Sequence, residues 1–262
     1  MDAARLQVRT LKACLNGKRS QAEHPAVPVT PAELASEAAA AVAAGAEAVH
    51  LHARGPAGTE SVRAADVGAA VAAVRQACPG TPVGVSTGLW ITGGDPVARQ
   101  AGVAGWTALA ADERPDFASV NVSEAGWAEV MHTLAATGIG VEAGVWTLRD
   151  VRELAGTPDL PPLLRVMVEV PTMPADSAVA AGQEIVRAVR ESARRADPLL
   201  LHGENDGCWP LIALAGQLGL ATRIGLEDTT TGPAGEPVTG NADLVRLALA
   251  MLQPAGQPPG RT

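Results

Sequence analysis

The feature that most constrains this chain is an alternation: a strand-length apolar stretch, a short connection, then a helix-length stretch rich in alanine, about eight times over. Strands read at 6–15, 48–53, 83–87, 117–122, 139–145, 163–170, 199–202 and 222–226. Helices read at 31–44, 64–77, 96–111, 124–136, 148–154, 177–194 and 209–218, with a last one that Asn241 could cap, running to 252. Thr30-Pro31-Ala32-Glu33 has the form of a capping box at the first helix, and Gly45 stands where that helix should stop. Sustained strand-helix alternation argues for a parallel sheet. Eight units in 262 residues suit an α/β fold of the (β/α)8 TIM barrel kind, for which about 250 residues is typical. An open doubly wound sheet would place a glycine-rich phosphate loop after the first strand, and Asn16-Gly17-Lys18-Arg19 is not that loop. No composition break divides the chain, so residues 1–253 are expected to form one barrel domain and the Pro- and Gly-rich residues 254–262 a flexible C-terminal tail.

Charge and composition narrow the partners. The formal net charge is -8 and the arginines are scattered, so there is no cationic footprint for nucleic acid. No apolar run reaches the roughly 18 residues needed to span a bilayer, and Met1-Asp2-Ala3-Ala4-Arg5 lacks a signal-peptide core. A soluble cytoplasmic protein is expected. Cys14, Cys78 and Cys208 are odd in number and widely spaced, which reads as reduced buried thiols, with Cys208 the one that could be reactive.

In such barrels the chemistry sits at the C-terminal ends of the strands. That ring collects Asn16 and Arg19, His50 and His52, Ser86 and Thr87, Ser119 and Asn121, Glu142, Glu169, His202 and Glu204, and Arg223, Glu227 and Asp228. His50 and His52, one residue apart on a strand, project to the same face, and two neutral imidazoles converging on a point suit zinc or a similar divalent ion. Taken alone, His-X-His reads equally as two satisfied histidines near a strand end. An acidic pair at the same rim favours metal. Period two also puts Arg223 and Glu227 on one face, and the last strand of a closed barrel lies beside the first. One carboxylate of Glu227-Asp228 could then complete a two-histidine site and the other could stay free as a base; a helix-capping or solvated role for Asp228, and an ion-pair role for Arg223, remain alternatives.

At these positions the chain resembles the β-keto acid cleavage enzymes, the family that includes the 3-keto-5-aminohexanoate cleavage enzyme. The resemblance is carried by Asn16-Gly17 and His24-Pro25-Ala26-Val27-Pro28-Val29-Thr30-Pro31, then Val49-His50-Leu51-His52-Ala53-Arg54, Val85-Ser86-Thr87-Gly88, and Arg223-Ile224-Gly225-Leu226-Glu227-Asp228. The motifs keep their order from about Thr10 to Leu252. The resemblance implies a zinc-dependent barrel, usually a homo-oligomer (a dimer or tetramer), that condenses a β-keto acid with acetyl-CoA and returns acetoacetate and a new acyl-CoA. It implies His50, His52 and Glu227 as metal ligands and Asp228, oriented by Arg223, in removal of the α-proton. Ser86 joins that catalytic set, with Ser119, Asn121 and Thr87 around the substrate oxygens. Glu142 aligns with an acid that faces a substrate ammonium, which would favour a β-keto acid with a cationic or hydrogen-bond-donating tail; an ion pair with a neighbouring arginine is the alternative. The chain departs from the family pattern at Lys18-Arg19, Val170-Pro171-Thr172-Met173-Pro174 and Gly203-Glu204-Asn205-Asp206, all in loops that would line the mouth.

Two rival functions fit parts of the pattern. A zinc hydrolase of the amidohydrolase kind also uses His-X-His and a late aspartate, but places the pair on the first strand and adds histidines from the middle strands; only His202 is placed to serve here. A non-catalytic barrel that binds a metal or an acyl ligand would keep the ligands without turnover.

Overall fold

The structure is a computed structural model that describes residues 6–194 and 197–253. The expected tail at 254–262 lies outside the described residues, as do residues 1–5. Eight strands, β1 (Leu11–Cys14), β2 (Ala48–Leu51), β3 (Val83–Ser86), β4 (Phe117–Asn121), β5 (Gly140–Val145), β6 (Arg165–Val170), β7 (Leu199–Gly203) and β8 (Thr222–Ile224), alternate with helices. These are α1 (Pro31–Ala43), α2 (Ala64–Ala77), α3 (Pro96–Ala104), α4 (Trp127–Ala136), α5 (Leu148–Gly156), α6 (Ala175–Glu191), α7 (Cys208–Leu218) and α8 (Asn241–Leu252). All strands pair in parallel, in the order β7-β6-β5-β4-β3-β2-β1-β8. The two ends of that order meet at a single bridge, Leu200 to Ala221, reinforced by the Thr222 hydroxyl donating to Leu201 O at 2.7 Å. The molecule is a nearly closed (β/α)8 TIM barrel.

Local chemistry explains the elements. Alanine loses no side-chain entropy in a helix, and α1 and α2 are built largely of it. The Thr30 capping box forms: Glu33 N donates to Thr30 Oγ1 at 3.2 Å and Thr30 N donates to Glu33 Oε2 at 2.9 Å. Thr147 and Asp150 do the same for α5. The strands are buried on both sides, as parallel strands between helices must be. Their outward residues, such as Val49, Leu51, Val85 and Val120, join the aliphatic layer beneath the helices. Inside the barrel a second, smaller cluster contains Leu6, Val8, Ala48, Phe117, Met167, Leu200 and Ala221.

That inner cluster forms a floor with charge in it. Lys12, Glu142 and Arg165 are buried; Lys12 Nζ donates to both Glu142 oxygens at 2.8 and 2.7 Å, and Arg165 Nε lies 3.3 Å from Glu142 Oε1. Both cations stand over the Phe117 ring, at 5.4 and 5.6 Å from its centroid. Phe117 needs the space left by Gly84, where a Cβ would come within 1.9 Å of the ring.

Several boundaries differ from expectation for identifiable reasons. β1 begins at Leu11 rather than residue 6, because Leu6 and Val8 are apolar as part of the floor and not as strand. The third helix ends at Ala104 and tightens into a 3-10 turn at Gly105–Ala108, which buries Trp106 with its indole donating to Val62 O at 2.8 Å. Asn241 does not cap α8; it is the first helical residue after Gly240. Its amide instead joins Leu226 N, Leu15 O and Glu37, tying the start of α8 to the ends of β1 and β8. All three cysteines are free and buried. Burial pushes the Cys208 thiol well above its usual range, so it is not a poised nucleophile.

Candidate active site

The C-terminal ends of the strands open into a cavity of about 380 Å³, a size suited to a small metabolite. Alternation along β2 turns Ala48, His50 and His52 inward and Val49 and Leu51 outward. His50 ends up buried within the strand, and His52 follows it one residue past the strand end. Two contacts hold the His52 backbone in register: its N–H donates to Asn16 Oδ1 at 2.9 Å, and Asn16 Nδ2 donates back to His52 O at 2.9 Å. The next residue, Gly17, has φ +55, and a Cβ there would meet Glu227 Cγ at 2.4 Å. The Asn16-Gly17 pair therefore fixes one histidine and makes room for the glutamate.

His50, His52 and Glu227 converge: each offers a donor atom, and these atoms lie within 4.8 Å of one another. Glu227 Oε2 is 3.9 Å from His50 Nε2 and 3.6 Å from His52 Nε2, and it is a buried oxygen with no hydrogen-bond partner. Donors around a tetrahedral zinc at about 2.1 Å sit roughly 3.4 Å apart, close to these separations. The remaining His52 nitrogen, Nδ1, is 2.5 Å from Glu60 Oε1, the carboxylate-histidine arrangement that orients metal-binding imidazoles. The donor set fits a divalent cation. Burial pushes His50 down to about 3 and keeps it neutral. Burial opposes charge on His52 too, but Glu227 and Glu60 outweigh it and hold the imidazole up at about 9; its proton is the one an incoming cation would displace.

Arg223 stands beside this cluster on β8, shared between two acids. Its Nη2 donates to Glu227 Oε1 at 2.8 Å and to Asp228 Oδ1 at 2.7 Å, and its Nε donates to Asp228 Oδ1 at 3.1 Å. Burial works against ionising either acid. For Glu227, Arg223 and the two histidines outweigh it and hold the carboxyl well below the usual range. For Asp228, burial and the neighbouring Glu227 prevail over Arg223 and lift it to about 7.

Of the other residues expected at the site, Ser86, Ser119 and Asn121 line the cavity with His50, His52, Arg223 and Glu227. Ser86 Oγ accepts from Gly88 N at 3.2 Å and retains its own proton to donate. Thr87 does not reach the cavity: period two turns it the opposite way from Ser86, and its hydroxyl donates to Ser119 O at 2.7 Å. Glu142 does not reach it either. It is the third residue of a six-residue strand, and its carboxylate is taken by Lys12 and Arg165 in the floor. Asp228 is buried behind Arg223 rather than at the cavity wall. His202, the one further histidine a hydrolase site could recruit, lies between Glu169 (3.3 Å) and Asp228 (3.7 Å) and outside the cluster of metal-capable groups.

Trp90, Trp146 and Met167 line the cavity without any periodic signal in the sequence, and Glu60 stands just outside it against His52. Trp90 stacks on His52, with ring centroids 6.2 Å apart and planes inclined by 24°, and Glu60 contacts both. Trp90 stands in a single 3-10 turn (Leu89–Thr92) and Glu60 in the connection after β2, segments too short for periodicity to mark an inward residue. Trp90, one of five tryptophans in a chain with a single phenylalanine, stood out only by its rarity.

Comparison with known proteins gives a family and a fold. A family model described as beta-keto acid cleavage enzyme matches residues 10–261. Among solved structures, a ternary complex of ObcA with a C4-CoA adduct and oxalate superposes with a TM-score of 0.67 at 18% identity, covering 87% of this chain and 64% of that one. The chain thus spans a little under two thirds of that relative. The carboxyl transferase domain of Rhizobium etli pyruvate carboxylase, with pyruvate and biocytin, follows at a TM-score of 0.57 and 15% identity, over 95% of this chain and 46% of that one. A truncated 3-deoxy-D-arabino-heptulosonate 7-phosphate synthase from Thermotoga maritima gives 0.54 at 13% identity, over 92% and 84%. At such identities these likenesses speak for the barrel fold.

Proposed function

The chain belongs to the beta-keto acid cleavage enzyme family, and from that premise we propose that it condenses a β-keto acid with acetyl-CoA to give acetoacetate and a new acyl-CoA. The observation that carries this reading is the convergence of His50, His52 and the unpartnered Glu227 Oε2 beside Arg223 in the cavity. The C4-CoA adduct named for ObcA supports the use of a CoA thioester.

His50, His52 and Glu227 would hold zinc or a similar divalent ion, whose contribution when bound is to polarise the keto and carboxylate oxygens of the acid. Ser86 on β3, with Ser119 and Asn121 on β4, would orient those oxygens from the strands that follow β2. Arg223 neutralises charge beside them and keeps Asp228 and Glu227 in distinct roles. We assign the base to Asp228: its Oδ2 carries no hydrogen bond, and a carboxyl lifted to about 7 is matched to taking a proton near neutral pH. Attack of the carbon so activated on the thioester carbonyl, followed by transfer to CoA and retro-Claisen cleavage, completes the exchange. Assembly into a homo-oligomer and residence in the cytoplasm belong to the same proposal; among the described residues no helix is long and apolar enough to cross a membrane.

The test is to incubate zinc-loaded protein with acetyl-CoA and a panel of β-keto acids and to look by mass spectrometry for acetoacetate with a matching acyl-CoA, using Glu227→Gln as control. Paired products that require the intact site support the reading. Binding without turnover across the panel would favour the non-catalytic barrel, and hydrolysis without CoA transfer the amidohydrolase-like one.

A further inference from the structure

Glu60 serves two masters at the edge of the cavity. One of its oxygens lies 2.5 Å from His52 Nδ1, and both accept from Trp90 Nε1, at 3.2 and 3.1 Å. Trp90 is 43% exposed, yet its ring is parked on the His52 imidazole at the cavity wall. The parking depends on Gly88, since a Cβ there would meet the far end of the indole at 2.3 Å. Thus Glu60 and Gly88 bear on the position of one exposed aromatic ring, and Glu60 alone bears on the candidate ligand beneath it.

We propose that Glu60 is a positioning residue that fixes the His52 imidazole and the Trp90 indole together, so that cation binding in the cavity and placement of the tryptophan over its mouth are coupled. A carboxylate accepting from Nδ1–H selects the tautomer that leaves Nε2 free to bind a cation, and it raises the basicity of that nitrogen. The same carboxylate holds the indole N–H, so rotation of the imidazole is felt by the ring stacked on it. The proposal rests on the reading that His50, His52 and Glu227 bind a divalent ion.

The experiment titrates the full-length protein with zinc alone, following heat and tryptophan emission, with the Trp90 contribution taken as wild type minus Trp90→Phe. Glu60→Ala is expected to weaken zinc binding by roughly 10–100-fold and to abolish the zinc-induced change in Trp90 emission even at saturation. Glu60→Gln, which keeps an acceptor for His52, should lose less affinity. Gly88→Ala should displace the indole and shrink the emission change while weakening zinc binding by less than Glu60→Ala does, since coupling is reciprocal but the carboxylate stays on His52; general loosening of the loop would not separate the two effects. Zinc binding by Glu60→Ala at wild-type affinity, or an intact emission response, would overturn the proposal. If wild type and Glu227→Gln bind zinc equally, the metal reading itself has failed. The link between Glu60 and the indole is then decided in zinc-free protein by acrylamide quenching of Trp90: greater access in Glu60→Ala sustains it, and unchanged access refutes it.

Discussion

The floor and the mouth of this barrel both bury charge, and they do opposite things with it. In the floor, two cations, Lys12 and Arg165, close on one carboxylate, Glu142, over the single phenylalanine ring. In the mouth one guanidinium, Arg223, is shared between Glu227 and Asp228, and oxygens on both are left without hydrogen bonds. A buried polar atom left unpartnered costs stability, and the floor has such atoms too, Arg165 Nε and Nη1, but they are enclosed, whereas Glu227 Oε2 belongs to a residue that lines the cavity. The lesson is that burial of charge does not by itself mark a site. What marks it is an unpartnered carboxylate oxygen on a cavity-lining residue, beside other groups able to hold a cation.

The contrast can be broken from either side. Glu142→Gln should cost about 3–5 kcal/mol of stability, because it strands two buried cations, while zinc affinity stays unchanged; urea unfolding and calorimetry read the two. Glu227→Gln should do the reverse, lowering zinc affinity by more than about 100-fold, beyond the 10–100-fold expected of an outer partner, with an unfolding midpoint near wild type. A Glu227→Gln protein that unfolds as readily as Glu142→Gln would erase the distinction. Gly84→Ala should push a methyl into the Phe117 ring and cost about 1–3 kcal/mol by overpacking, again with no change in zinc binding.

Acid sharpens the same comparison. Burial alone would raise the Glu142 pKa, but Lys12 and Arg165 outweigh it and hold it at about 2. A folded-state value below the unfolded one of about 4.3 means that the stability Glu142 contributes is present above that unfolded value and is lost as pH falls from there towards 2. Wild type should therefore lose stability faster than Glu142→Gln across that window. Parallel curves for the two proteins would show that the floor charges contribute nothing to acid stability.

The fold was legible because two independent signals agree along the whole chain: apolar runs for strands buried on both faces, and alanine-rich runs with caps such as Thr30 for helices. Period two plus barrel closure, which brings β8 next to β1, made legible that one carboxylate of Glu227-Asp228 could join His50 and His52; that it is Glu227 came from the family resemblance. Thr87 was separable from Ser86 by the same period. Glu142 was not placeable that way, because height within the barrel depends on where β5 starts relative to its neighbours, and Lys12, its partner, is 130 residues away. Leu6 and Val8 mimicked strand because a floor residue and a strand residue bury the same surface. Glu60 acts from the connection after β2 and Trp90 from a single 3-10 turn after β3, segments too short to show a repeat.

The lone phenylalanine has a spectroscopic consequence. With no tyrosine in the chain and one phenylalanine, isotope labelling of that residue type gives a single ring spin system, set among Lys12, Arg165 and the bare backbone of Gly84. Close-packed interiors yield little, so each flip of that ring requires the barrel to breathe. Its flip rate is a clock for the closed end of the molecule, and it can be read while ligands come and go at the open one.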